Sequence, residues 1–159
     1  MIKTYKKFFL IISLILFTMS CGFKVLDKSS LFNLRISEIQ TQGDKKTNFL
    51  IKNNLQKTLN IEKEGDNYMV LNTTKRKEIK EKNSRNQITK YQITISSTLS
   101  LNSLKTNEKK TFSTEVNGSY DVSNNHSTTI TNQNNLEKNL AKRTSDLLTK
   151  QLIFIFNAN

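Results

Sequence analysis

The stretch from Lys90 to Leu101 constrains this chain more than any other. Tyr91, Ile93, Ile95, Leu99 and Leu101 share one face of an extended segment, while Lys90, Gln92, Thr94, Ser96, Thr98 and Ser100 share the other. Alternation with period two describes a strand that is dry on one side and wet on the opposite side. A sheet built around it needs a cover on its dry face only, and the rest of the sequence must supply that cover.

Three further segments read as strands. Phe32, Leu34 and Ile36 alternate in a first strand that Gly43 and Asp44 end. Tyr68-Met69-Val70-Leu71 opens a second, grading into the charged Lys75-Arg76-Lys77-Glu78-Ile79-Lys80. Phe112, Val116, Tyr120 and Val122 point inward from a fourth strand, which forms a hairpin with the central one across Lys105 to Lys109. Two helices provide the cover. Ile51, Leu55 and Leu59 recur at helical spacing from Thr47 onward, with Asp44 or Thr47 as cap. After an Asn/Ser/Thr-rich loop from Ser123 to Asn135, Leu136, Leu140, Leu147, Leu148, Leu152 and Ile155 trace a second apolar stripe. The run Leu152 to Phe156 fits a helix or an extended segment equally well. The order β-α-β-β-β-α predicts an α+β two-layer sandwich: a four-stranded, mostly antiparallel sheet with two helices on one face.

The N-terminus carries a different kind of information. Lys3, Lys6 and Lys7 precede an apolar run from Phe8 to Phe17, and Thr18-Met19-Ser20-Cys21 follows. A basic start, a short apolar run and a small residue before the processing point make a secretory signal, and the run is too short for the roughly 20 residues of a bilayer-spanning helix. Cys21 is the chain's single cysteine. Its thiol is the one side chain there that takes a thioether-linked diacylglycerol, so residues 1–20 are expected to be cleaved and Cys21 to become the acylated first residue. Thr18 stands where such signals usually carry an aliphatic. Two or three acyl chains hold a protein firmly on a membrane. Gly22, in place of the Asp that retains such proteins at the inner membrane, points to the outer membrane and a body facing the periplasm. Residues 21–30 read as a lipidated linker and 31–159 as a single domain. With no second cysteine, stability rests on packing.

The full chain has 25 Lys+Arg against 13 Asp+Glu. Losing the three lysines of the signal leaves a mature excess of +9. Such an excess implies an anionic partner. For an exported protein nucleic acid is not expected; phospholipid headgroups and the phosphorylated core of lipopolysaccharide are. The cations concentrate in Lys75, Arg76, Lys77, Lys80, Lys82, Arg85 and Lys90, at the tip of the hairpin between the second and third strands. Lys75, Arg76, Lys77, Lys82 and Arg85 are the candidate lipopolysaccharide-binding residues, weighed against a solvated turn that keeps an edge from aggregating. Catalysis is not expected. The one histidine, His126, lies in a polar stretch without a partner nearby, and no metal-ligand cluster, phosphate loop or nucleophile elbow is present, so no metal or other cofactor is expected.

Cys21-Gly22-Phe23-Lys24-Val25-Leu26 resembles the start of the lipopolysaccharide-assembly lipoproteins called LptE. The element order is similar to that family's, as are Tyr120-Asp121-Val122 at the close of the last strand and the final helix through Leu140-Ala141-Lys142-Arg143 and Leu147-Leu148-Thr149-Lys150-Gln151-Leu152. The resemblance implies a protein seated in the lumen of the outer-membrane β-barrel LptD, helping it assemble and binding lipopolysaccharide in transit to the cell surface. A lipoprotein accessory subunit of a phospholipid-transport complex is the alternative, since it shares a similar layout and anchor.

Overall fold

In the computed structural model residues 34–156 are described. The elements run β1 (Arg35–Gly43), α1 (Lys45–Gln56), β2 (Asn60–Ile61), β3 (Asn67–Lys82), β4 (Ile88–Ser103), β5 (Lys109–Asp121) and α2 (His126–Phe156). They form one sheet in the order β2-β1-β3-β4-β5. Strands β3, β4 and β5 are antiparallel neighbours, and β1 lies parallel to both β2 and β3. The parallel pairing follows from α1, whose crossover returns the chain in the direction it left. The sandwich is therefore α+β with both helices on one face, but with five strands rather than four. The additional strand, β2, is two residues long, too short to leave an alternation in the sequence.

The dry face of the sheet is the one expected. Met69, Leu71, Ile93, Ile95, Leu99, Leu101, Phe112, Val116 and Tyr120 are buried against Ile51, Leu55, Leu140, Ala141, Leu148 and Leu152 of the helices. Thr73 and Ser97, the polar interruption of this face, hydrogen-bond each other at 3.0 Å, which removes the cost of burying two lone hydroxyls. Strand β1 keeps its phase by an irregularity. Ile36 pairs with Asn67 and Glu38 with Tyr68, leaving Ser37 as an extra residue whose hydroxyl donates to the Asn67 carbonyl at 2.9 Å. That bulge puts Ile39, 3% exposed, on the dry side.

Two glycines hold the layers together. Gly43 has φ +91°, and a Cβ there would lie 2.1 Å from the Thr73 carbonyl oxygen. The turn it permits delivers Asp44 as the N-cap of α1, where the carboxylate accepts from the Thr47 N–H at 2.9 Å. A Cβ at Gly118 would lie 2.8 Å from Leu136, so α2 approaches β5 closely at that point.

The second helix differs from the expected one in length. It begins at His126, inside the stretch read as a loop, and continues through Phe156, so Leu152 to Phe156 is helical. Its start is set by local hydrogen bonds. Asn125 accepts the Ser127 N–H on its side chain at 2.9 Å, and its carbonyl accepts the Thr129 N–H at 3.1 Å. The intervening Ser, Thr and Asn residues are poor helix formers, but Gln133 and Glu137 pack on the sheet and carry the helix through them. At the other end of the sheet, β5 closes at Asp121 and Val122 lies just beyond the strand, its N–H donating to the Thr89 carbonyl at 2.9 Å.

Candidate anion-binding hairpin and the charge cluster beneath it

Strands β3 and β4 continue as a two-stranded arm to a turn at residues 83–87. Asn83 builds the turn: its side-chain carbonyl accepts the N–H groups of Arg85 and Gln87, both at 3.0 Å, and Asn86 takes φ +60°. This is the Asx geometry that lets asparagine replace a backbone partner. Lys82 donates to the Asn86 side chain at 3.0 Å. Lys82 and Arg85 thus sit together at the tip.

Alternation divides the other candidates. Lys75 and Lys77 point toward the helices, and Arg76 points to the wet face, where its Nε lies 2.8 Å from Glu78. Lys77 stands over the Tyr91 ring at 4.1 Å and the Tyr120 ring at 5.5 Å, with the two tyrosines stacked at 5.7 Å. It also donates to Gln133 at 3.0 Å. Lys80 reaches Ser119 at 3.3 Å, and Lys90 pairs with Glu81 at 3.2 Å and Asp121 at 3.6 Å. Glu81 and then Asp121 hold the Lys90 ammonium above its ordinary pKa. Among the described residues, Lys77, Lys80, Lys82 and Arg85 have no acid within ion-pair distance. The structure separates them: Lys82 and Arg85 share the tip, Lys80 lies at the base of the arm beside Ser119, and Lys77 sits on the helix side of the three-stranded part of the sheet, covered by Tyr91, Tyr120 and Gln133. Cys21, expected from the sequence to carry the lipid, lies outside the described residues.

Lys75 faces inward instead. Its side chain is 22% exposed, and its ammonium lies 3.4 Å from Glu137 and 3.6 Å from Asp44. Glu137 is 2% exposed and also takes Lys46 at 2.7 Å and the Gln133 amide at 3.0 Å. One carboxylate therefore ties α2 to the first turn of α1 and to β3. Burial pushes the Glu137 pKa up, but the hydrogen bonds from Lys46 and Gln133 and the charges of Lys75 and Lys46 outweigh it, and the net shift is down. Asp44 behaves alike: burial raises it, and the Thr47 bonds and Lys75 bring it below its ordinary value.

The sequence reading passed over this cluster. Its trace was nonetheless present: Glu137, Ala141, Thr144 and Leu148 fall at helical spacing on the stripe that packs inward, so an acid on that stripe required a cation opposite. His126 opens α2 and is exposed.

No protein-family model matches the chain, and no curated protein does. Solved structures do. A protein assigned as a lipoprotein from Caulobacter crescentus CB15 superposes with a TM-score of 0.62, covering 83% of this chain and 96% of its own, at 14% identity. For rare lipoprotein B from Shewanella oneidensis the TM-score is 0.57, with 76% and 98% covered at 12% identity. Lipoprotein B from Nitrosomonas europaea gives 0.58, with 86% and 94% covered at 12% identity. The chain has the fold of these lipoproteins. At such identities the likeness is one of fold, and each partner structure is covered almost whole.

Proposed function

We propose that this chain is an outer-membrane lipoprotein, anchored through acylated Cys21 on the periplasmic face, that binds and helps assemble an LptD-type β-barrel and assists lipopolysaccharide transport to the cell surface. It does so by binding, without catalysis. The observation that carries the reading is the outer end of the β3–β4 hairpin, where Lys80, Lys82 and Arg85 stand without acids among the described residues on a fold shared with lipoproteins. Phosphate groups of lipid A are compact anions; a guanidinium grips them with two hydrogen bonds and an ammonium acts as a point charge. Lys75 supports the arm from beneath through Glu137.

The test has two parts. Changing Lys80, Lys82 and Arg85 to Ser is expected to weaken lipopolysaccharide binding and flatten its salt dependence, because exposed charges are screened over about 10 Å at 0.1 M salt. Affinity purification of the lipidated chain from outer membrane is expected to bring down a large β-barrel protein. Unchanged binding across a salt titration would remove the hairpin from the proposal. Recovery of membrane-spanning transport components without a barrel would overturn the assembly role in favour of the phospholipid-transport alternative.

A further inference from the structure

The sheet has two edges. One is made by β2, which pairs only with Arg35 and Ile36, and beyond it by the rest of β1, where Lys52 and Asn48 of α1 donate to the Ile39 and Gln42 carbonyls. The other is β5, thirteen residues long and without proline. Short strands, prolines, bulges and charged side chains are the usual protections against another chain pairing with an edge; β5 has none of the first three, and its charges are Lys109 and Lys110 at its start, Glu115 and Asp121.

The register shows which backbone groups of β5 stand free. At one end of the β4–β5 ladder the Ser103 N–H donates to the Glu108 carbonyl, and at the other the Val122 N–H donates to the Thr89 carbonyl. Residues of an antiparallel pair alternate between bonding the partner strand and facing away from it. The even-numbered residues of β5 therefore bond β4, and the odd-numbered ones, Thr111 through Ser119, turn their N–H and C=O groups to the open edge. Two side chains of α2 confirm the parity: Gln151 donates to the Ser113 carbonyl at 3.2 Å and Asn132 to the Asp121 carbonyl at 3.3 Å. Among the described residues nothing accepts from the N–H groups of Ser113, Glu115 or Asn117. The Gln151 side-chain oxygen, buried beside the same edge, has no donor.

A groove of about 490 Å³ runs along this edge, between β5 and the last turns of α2. Phe112, Leu147, Phe154 and Ile155 line it, with Lys150 and Gln151 at its side. Phe154 is 64% exposed. The end of the groove nearest the start of β5 is cationic: Lys109 opens the strand, Lys110 stands over the Phe156 ring at 5.8 Å, and Lys150 lines the wall. None of these three lysines has an acid within ion-pair distance among the described residues. The acids of the strand are engaged elsewhere, Glu115 by the Ser96 hydroxyl at 2.7 Å and Asp121 by Lys90 at 3.6 Å.

We infer that β5 is an acceptor edge for an extended segment of a partner protein, which adds a sixth strand to the sheet. Main-chain bonds to the odd-numbered residues of β5 supply affinity. Alternate side chains of the added strand face the groove, so the segment carries apolar residues two apart, and acidic residues where it meets Lys109, Lys110 and Lys150. The Gln151 amide occupies part of the place an incoming peptide group would take: it gives a donor to Ser113 and holds an unanswered acceptor. The inference concerns an edge remote in sequence from the cationic hairpin turn, and it stands whether or not that hairpin binds lipopolysaccharide.

The experiment uses the full chain in detergent with a fluorescent probe peptide, fluoresceinyl-Asp-Asp-Val-Thr-Val-Thr-Leu-Asn-amide, and a copy N-methylated along its backbone that keeps the side chains but has no backbone N–H between residues to donate. The expected result is a rise in anisotropy with the first peptide, slowed hydrogen exchange across residues 111–119, and affinity at least about tenfold lower for the N-methylated copy. Glu115→Pro removes one edge N–H without touching the β4 ladder, a substitution that edge strands tolerate, and is expected to weaken binding by a similar factor. Should that variant fail to fold, Phe154→Asp changes an exposed side chain of the groove and is expected to do the same. No binding up to about 1 mM peptide, equal binding of the N-methylated copy, or protection confined to other segments would each overturn the inference. Protection of 111–119 that rises with protein concentration, with no response to peptide, would overturn it in favour of pairing between two copies of the chain.

Discussion

Glu137→Gln tests whether the buried carboxylate is what joins the two helices to the sheet. The substitution keeps the shape of the side chain and removes its charge. Breaking a buried pair by removing one partner costs roughly 3–5 kcal/mol, because the other charge stays buried and unpaired. Here the cost is smaller. Lys46 is 54% exposed and returns to water, and Lys75 retains Asp44 at 3.6 Å. A loss of about 2–3 kcal/mol is expected, which lowers the unfolding midpoint by about 6–9 °C for a domain of this size. The dependence on pH sharpens the test. The Glu137 pKa is lowered in the folded chain, so its stabilisation is fully present above the unfolded value of about 4.3 and is lost as pH falls through the lower folded value. Thermal unfolding followed by circular dichroism at pH 7 and again below pH 4 is the assay. The gap between parent and variant is expected at pH 7 and is expected to close in acid. An unchanged midpoint at pH 7, or a gap that persists undiminished in acid, would refute the role assigned to the carboxylate.

Cys21→Ala is expected to yield a form without attached lipid and without membrane retention, read by intact mass and by fractionation, since no other thiol is present. Ile95→Asp puts an unpaired charge on a fully buried site and is expected to cost several kcal/mol, whereas Thr98→Lys on the wet face is expected to change stability by under about 0.5 kcal/mol; denaturant titration compares them. Gly118→Val brings side-chain atoms against Leu136 and is expected to cost about 1–3 kcal/mol in the same titration, while Gly118→Ala costs less.

Much of the architecture was legible before any coordinates, because it follows from periodicity. The alternation through Ile93, Ile95 and Leu99 and the stripe through Leu140, Leu148 and Leu152 named the residues that meet in the core. What periodicity cannot register is an element held by its neighbours. Strand β2 exists because Arg35 and Ile36 offer it partners, and the first turns of α2 exist because Asn125 caps them and Gln133 bonds Lys77 and Tyr120. Strand β1 shows the same limit: strict alternation would have placed Glu38 on the dry side, and the bulge at Ser37 places Ile39 there.

The cations of the hairpin were also visible as a run of charge, but their standing was not. A count of Lys and Arg treats Lys75 and Lys82 alike. In the fold, Lys75 lies against Glu137, sixty-two positions away, while Lys82 has an asparagine for company at the tip. By itself the sequence determined the one-sided sheet, the helical cover and the sign of the net charge, and it set the expectation of a signal ending at Cys21; all of these depend on residue type and local spacing. Only the tertiary structure decided which charges are matched and which strands form the edges of the sheet among the described residues, because ion pairing and strand pairing depend on distances between segments that the chain order leaves unspecified.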